Sequence, residues 1–279
     1  MARRWSGFGL SIESDCAVPG LLAEAKPPEK ADLRIEMLPI LPPDEPAQPL
    51  YRIEDDTLIF SAPEVAQYRI RRDWIGIAPS PGADPGQVIG LLAATAMPAM
   101  VWMRGDAVLH AAALRTPSGK GVAIAGPSGI GKSAVAAQLL EHGAALAADD
   151  SVRLQRQGDR IVANGLAGGF HRVAELTGTR AFCAVPREDT ARDVALGAIL
   201  VLARSEGDAA LVRLPPLDAV TRLLANQHRP QIPAFLKRRE QMLAVLSFVA
   251  HRCPIYAWRR SSQMLSAAEW EMLGREGIW

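Results

Sequence analysis

Cysteine is scarce in this sequence. Cys16, Cys183 and Cys253 stand far apart, odd in number and without a CxxC pair. Such a set argues against a disulfide framework or a cysteine zinc site, and predicts a reducing, cytoplasmic setting. An excess of one charge is also missing, since 31 basic and 30 acidic residues leave a net charge of +1. That balance gives no general pull toward nucleic acid or an anionic membrane, so neither is expected as a partner. No export-type apolar segment follows Met1-Ala2-Arg3-Arg4-Trp5. The most apolar stretch, Leu91 to Met103, is short for a bilayer, contains Pro98 and ends in Arg104-Gly105-Asp106, which predicts a buried helix. Repeats, heptads and low-complexity tracts are absent. What is present is a hydrophobic fraction of 49% against 22% charged, enough for a full core.

Organisation changes near residue 85. Residues 1–84 read as a β-rich N-terminal region with a role in substrate recognition. Leu33–Met37, Leu58–Phe60, Tyr68–Arg71 and Trp74–Ile77 carry strand patterns, with turns at Asp55-Asp56 and Arg72-Asp73. Pro39 to Pro49 and Pro79 to Pro85 read as loops. Residues 85–279 read as the catalytic domain. A helix from Gly86 to Met103, kinked at Pro98, opens it, and strand–helix alternation follows, which predicts an α/β fold with a largely parallel sheet. Strands are expected at Gly121–Ala125, Ala144–Ala148, Leu196–Leu202 and Ile255–Trp258. Helices are expected at Ala134–Leu140, Leu217–Asn226 and Ala234–Arg252, and a capping box at Ser266–Glu269 opens the last one.

The strongest local signal is Gly126-Pro127-Ser128-Gly129-Ile130-Gly131-Lys132-Ser133, which matches G-x-x-x-x-G-K-[ST]. Glycines let backbone N–H groups face a phosphate without Cβ obstruction, and the following helix aims its N-terminus at the same anion. Lys132 then reaches the phosphates and the Ser133 hydroxyl ligates Mg²⁺. The next apolar strand ends in Asp149-Asp150. Such a strand end supplies the magnesium-shell carboxylate, here Asp149, and a second acid can accept a proton from an attacking hydroxyl. Turn capping is the plainer reading of the pair. His110 lies on an apolar segment upstream, where a core histidine and a site residue are both open.

Together, Leu109-His110, the strand and loop from Gly121 to Ser133, and Leu146-Ala147-Ala148-Asp149-Asp150 resemble the catalytic domain of HPr kinase/phosphorylase. That family carries an upstream histidine, a GxSGIGKS loop and an Asp-Asp pair at this distance. The resemblance implies a P-loop kinase core, with Asp150 taking the proton of a serine hydroxyl and His110 in the site. It also implies ATP and Mg²⁺ as cofactors. A downstream magnesium glutamate of the family falls at Glu175, which Leu176-Thr177-Gly178-Thr179 follows in place of the Arg-Gly-Leu-Gly run of the true HPr kinases. A second catalytic arginine has candidates in Arg229, Arg238 and Arg239. With its different N-terminal region, the chain is more similar to the HPr-kinase-like proteins of peptide-modification gene clusters, lasso-peptide clusters included. The implied acceptor is a serine of a peptide or small protein. A small-metabolite kinase and a nucleotide-binding regulatory module stay open, as does a homo-oligomer.

Overall fold

The computed structural model describes residues 3–26, 28–40, 50–173, 180–262 and 264–279. The N-terminal region forms one sheet. Its strands are β1 (Arg3–Gly7), β2 (Leu10–Ser14), β3 (Leu22–Ala23), β4 (Leu33–Met37), β5 (Tyr51–Glu54), β6 (Thr57–Ala62), β7 (Ala66–Ile70) and β8 (Trp74–Pro79), in the order β3-β1-β2-β4-β8-β7-β6-β5. The turns expected at Asp55 and at Arg72-Asp73 join β5 to β6 and β7 to β8, and Asp55 takes the left-handed φ of 51° that Asp tolerates. Most of the expected loop from Pro39 to Pro49 lies outside the described residues.

A helical run follows, in three parts: α1 (Pro85–Leu91), a π-helical turn (Leu92–Ala96) and α2 (Met97–Arg104). Asp84 caps it by accepting from the Gly86 and Gln87 N–H groups. The irregularity expected at Pro98 appears one turn earlier. Pro98 has no N–H to donate, and the ladder is already widened where the Met97 N–H donates to the Leu92 carbonyl. Pro85–Arg104 spans 20 residues, longer than the apolar stretch suggested and enough by length and composition to cross a membrane. It packs inside the protein, with Leu92, Ala96, Met97, Met100 and Val101 fully buried. On β7 the Tyr68 hydroxyl donates to the Val88 carbonyl at 2.7 Å, seating α1 on the first sheet.

The second sheet takes β9 (Ala107–Leu109), β10 (Ala111–Arg115), β11 (Gly121–Ala125), β12 (Ala145–Ala148), β13 (Val152–Gln157), β14 (Arg160–Asn164), β17 (Val194–Arg204), β18 (Ala210–Arg213) and β19 (Ile255–Arg260). A separate hairpin, β15 (Gly169–Val173) and β16 (Arg180–Ala184), stands apart from it. The order is β12-β10-β11-β17-β14-β13-β9, with β19 beside β17 and β18 outside it. The expectation of a largely parallel sheet is corrected here. Among the described strands of this second sheet, β11–β17 and β17–β19 pair in parallel and the other neighbours are antiparallel. The reason is that β10–β11 and β13–β14 are hairpins, which need no crossover helix. The fold is therefore mixed α/β. Helices α3 (Lys132–Glu141), α4 (Pro216–Ala225), α5 (Gln231–Phe235), α6 (Arg239–Arg252) and α7 (Ala267–Arg275) complete it. The capping box at Ser266 and Glu269 forms as expected. The single helix expected over Ala234–Arg252 is broken, with Lys237 at φ 56°. There the Arg238 guanidinium turns back to donate to the Trp102 and Met103 carbonyls at the end of α2. All three cysteines are free, and burial pushes the Cys253 thiol up to about 12.

The two sheets share one continuous core, running from Phe8, Ile12 and Ile35 through Met100 to Ala148, Leu154 and Ile199. The tip of the β1–β2 hairpin is the join. Phe8 and Gly9 take left-handed φ values of 52° and 66°, as a tight turn requires. Phe8 is fully buried, and its N–H donates to the Gly165 carbonyl at 2.8 Å. The Phe8 carbonyl accepts from Arg153, whose Nε also binds Asp106 at 2.8 Å. A Cβ on Gly9 would stand 2.5 Å from Asn164 Nδ2 and 2.9 Å from Asp193 Oδ1. Gly9→Ala therefore meets both a left-handed backbone and a close approach. It is expected to cost at least about 1–2 kcal/mol and to lower Tm by roughly 2–8 °C in thermal unfolding. An unchanged Tm would show that the hairpin tip is not anchored in the second sheet.

Candidate active site

The glycine loop joins β11 to α3, as its sequence requires. Gly126, Gly129 and Gly131 take φ values of 150°, 76° and 104°, and a Cβ on Gly129 or Gly131 would meet nothing within 4 Å. The loop is thus open on the side where its backbone would face an anion, with the helix N-terminus behind it. Lys132 is only 7% exposed, and its Nζ donates to the Gly126 and Pro127 carbonyls at 2.9 and 3.0 Å. The ammonium is held at the centre of the loop by the loop itself. The Ser133 hydroxyl donates to Asp149 Oδ1 at 3.0 Å and lies 3.3 Å from Oδ2. One loop hydroxyl and one strand-end carboxylate therefore meet, the hard oxygen pair suited to Mg²⁺.

Asp150 follows directly and takes a left-handed φ of 67°. A left-handed non-glycine residue costs of order 1–3 kcal/mol and persists where surroundings impose it, often at functional sites. The Asp150 carboxylate lies beside two imidazoles. His110 Nδ1 lies 3.1 Å from the Asp150 carbonyl and 3.4 Å from its Oδ1, and His228 Nε2 lies 3.5 Å from Oδ2. The two rings are 6.0 Å apart, one on each oxygen. Both atoms facing His110 Nδ1 are acceptors, which assigns the neutral ring's proton to Nδ1. Burial, then the Lys132 ammonium, holds the His110 pKa below its ordinary value, against the pull of Asp150. The ring is therefore neutral at neutral pH. His228 is 8% exposed on its side chain, and among the described residues its Nδ1 has no hydrogen-bond partner.

Chain connectivity explains these positions. His110 is the single residue between β9, paired with β13, and β10, paired with β11 and β12. The segment after α4 adds on beside it. His110 N–H donates to the Asn226 carbonyl and His228 N–H to the Val108 carbonyl, at 2.8 and 2.9 Å. Sequence reading missed His228. Its only local signal is a histidine in Asn226-Gln227-His228-Arg229-Pro230, and the pairing that brings it to His110 is non-local. Of the three arginine candidates, Arg238 caps α2, while Arg229 is half-buried beside His228 with its Nε donating to the Ala94 carbonyl at 3.4 Å. Glu175 lies outside the described residues.

By geometry alone, then, the site is an open glycine loop with a Ser133–Asp149 oxygen pair, beside a carboxylate held between two histidines. His110, Asp150 and His228 could also hold a metal ion, their ligand atoms lying within 4.8 Å of one another. Residues 106–178 match the family model described as HPr Serine kinase C-terminal domain. That stretch contains His110, the loop, Lys132, Ser133 and both aspartates, so this segment is HPr-kinase-like in sequence. No curated protein matches the chain. Among solved structures, the one titled "Structure of the Hpr(Ser) kinase/phosphatase from Coxiella burnetii" is similar at 14% identity. The likeness covers 61% of this chain and 87% of that chain, with a TM-score of 0.36.

Proposed function

We propose that the protein is an ATP-dependent serine kinase with a P-loop core, acting in the cytoplasm on a hydroxyl of a peptide or small protein such as a lasso-peptide precursor. The observation that carries this reading is the division of labour between adjacent aspartates. Asp149 faces Ser133 on the loop side, and Asp150 faces the two histidines. The HPr-kinase family match over residues 106–178 supports the reading. The residues fit the ligands it requires, since the open glycine backbone and Lys132 suit a triphosphate and the Ser133–Asp149 oxygens suit magnesium. Bound Mg²⁺-ATP supplies the phosphoryl group and neutralises its charge.

The chain's own residues do the rest. Gly126 to Ser133 position the phosphates, and Lys132 places a buried cation at the loop's centre. Asp150 accepts the proton of the acceptor hydroxyl. His110 and His228 stand at its two oxygens and fix its direction, so the carboxylate points to one place. Arg229, which follows His228 in sequence, is the arginine assigned to assist. The β-rich region 1–84 contributes to acceptor choice.

Purified protein with ATP and Mg²⁺ is expected to phosphorylate serine-containing peptides and to modify HPr poorly, because Leu176-Thr177-Gly178-Thr179 replaces the run of the true HPr kinases. Phosphopeptide mass spectrometry beside HPr as a parallel acceptor checks this. Efficient, site-specific labelling of HPr would show that the acceptor class is wrong.

A further inference from the structure

One large cavity, about 570 Å³, opens on the Asp149-Asp150 turn. Ala17 and Pro19, between β2 and β3, form one wall. Ile89 and Gly90 lie on α1, Ala93 and Ala94 on the π-helical turn, and Leu166 and Phe182 close the far side. Except at the aspartate end, these walls present carbon. The π-helical turn matters because the extra residue in its ladder rotates Ala93 and Ala94 into the wall, and such turns cluster at functional sites. Gly90 adds space, since a Cβ there would meet nothing within 4 Å. Tyr68 holds α1 in place from the first sheet, so the β-rich region sets the position of this wall.

We infer that this cleft is the acceptor subsite and takes a bulky apolar side chain next to the phosphorylated serine, so the substrate class is a peptide with an apolar residue adjoining its hydroxyl. The inference rests on the kinase reading above for what happens at Asp150, but the cleft itself is independent of it. The cavity size suits one or two side chains of an extended peptide. A sugar or nucleoside would place its remaining hydroxyls against carbon without hydrogen-bond partners, which disfavours it strongly. A leucine or phenylalanine side chain leaves water there, a gain equivalent to roughly 10–100-fold in affinity. With that side chain anchored, the neighbouring hydroxyl lies at the aspartate end of the cleft.

The test uses two labelled peptides, one with leucine and one with glycine beside the acceptor position. Each is made with serine for transfer assays and with alanine for binding by fluorescence anisotropy. The parent protein is expected to bind the leucine peptide roughly 10–100-fold more tightly and to show the same ratio in kcat/KM. Gly90→Leu fills the cleft from a helical position with room for a side chain, and is expected to erase the preference while ATP binding stays at the parent value. Equal binding of the two peptides by the parent would overturn the inference without recourse to any variant. Retention of the preference in Gly90→Leu protein, or occupation of the cleft by a fatty acyl chain that the leucine peptide does not displace, would also overturn it. A binding preference without ATP-dependent transfer upholds the cleft and sinks the kinase reading. Transfer to serine without any preference does the reverse.

Discussion

Lys132→Ala protein is expected to lose phosphoryl transfer by about 10²–10³-fold or more and to bind ATP more weakly. The structure explains the size of this loss. Lys132 is almost fully buried, yet its ammonium sits among loop carbonyls at the mouth of α3. A cation with so little water around it interacts strongly with any anion entering the loop. Removing it also leaves the Gly126 and Pro127 carbonyls without a charged donor, about 1.5–3 kcal/mol for each bond before water replaces it. The circular dichroism spectrum should keep the parent's shape, with Tm lowered by no more than several degrees. Lys132→Met keeps most of the stem and separates the charge from the packing, and it should be as inactive as the alanine variant. Near-parent turnover in either protein would remove the nucleotide role of the loop.

Asp150→Asn is expected to lower transfer by roughly 10²–10⁴-fold, the contribution of a positioned proton acceptor, with ATP affinity little changed. Asparagine keeps the size and tolerates the left-handed backbone at this position, so the fold is preserved. Asp149→Asn acts differently. It weakens the oxygen pair with Ser133, and raising Mg²⁺ should recover part of its rate. A magnesium titration of both variants beside the parent reads the division directly. Rescue of Asp150→Asn by magnesium, with Asp149→Asn beyond rescue, would reverse the two roles. Parent-like rates in both would reduce the pair to a turn cap.

Local chemistry made part of this legible in the sequence. Strand β11 was bounded exactly, because an apolar run sits between a lysine turn and Gly126, and helix α3 follows from the run of good helix formers after Ser133. The Ser133–Asp149 contact follows from the loop motif and an acid at the next strand end. Other features depend on pairing, which residue order does not display. The parallel sheet expected from strand–helix alternation became a mixed sheet because β13 and β14 form a hairpin closed by Gly158-Asp159. His228 reaches the site only because the segment after α4 pairs with β9. The break before α6 reflects the demand of α2's carbonyls for Arg238, a contact across the whole fold. The small residues Gly90, Ala93 and Ala94 read simply as helix formers or breakers. Their role as a cleft wall appears only once α1 is docked on the first sheet.

The most direct test follows the γ-phosphate itself. Purified parent protein is mixed with γ-labelled ATP, Mg²⁺ and a serine peptide carrying leucine beside the serine, and the label is partitioned between peptide and inorganic phosphate. The account predicts that label accumulates on the serine hydroxyl, in proportion to peptide and enzyme, and that Lys132→Ala and Asp150→Asn proteins leave the peptide unlabelled. Label that stays in ATP or appears only as inorganic phosphate, whatever hydroxyl acceptor is supplied, would contradict it and leave a nucleotide-binding protein without a transferase.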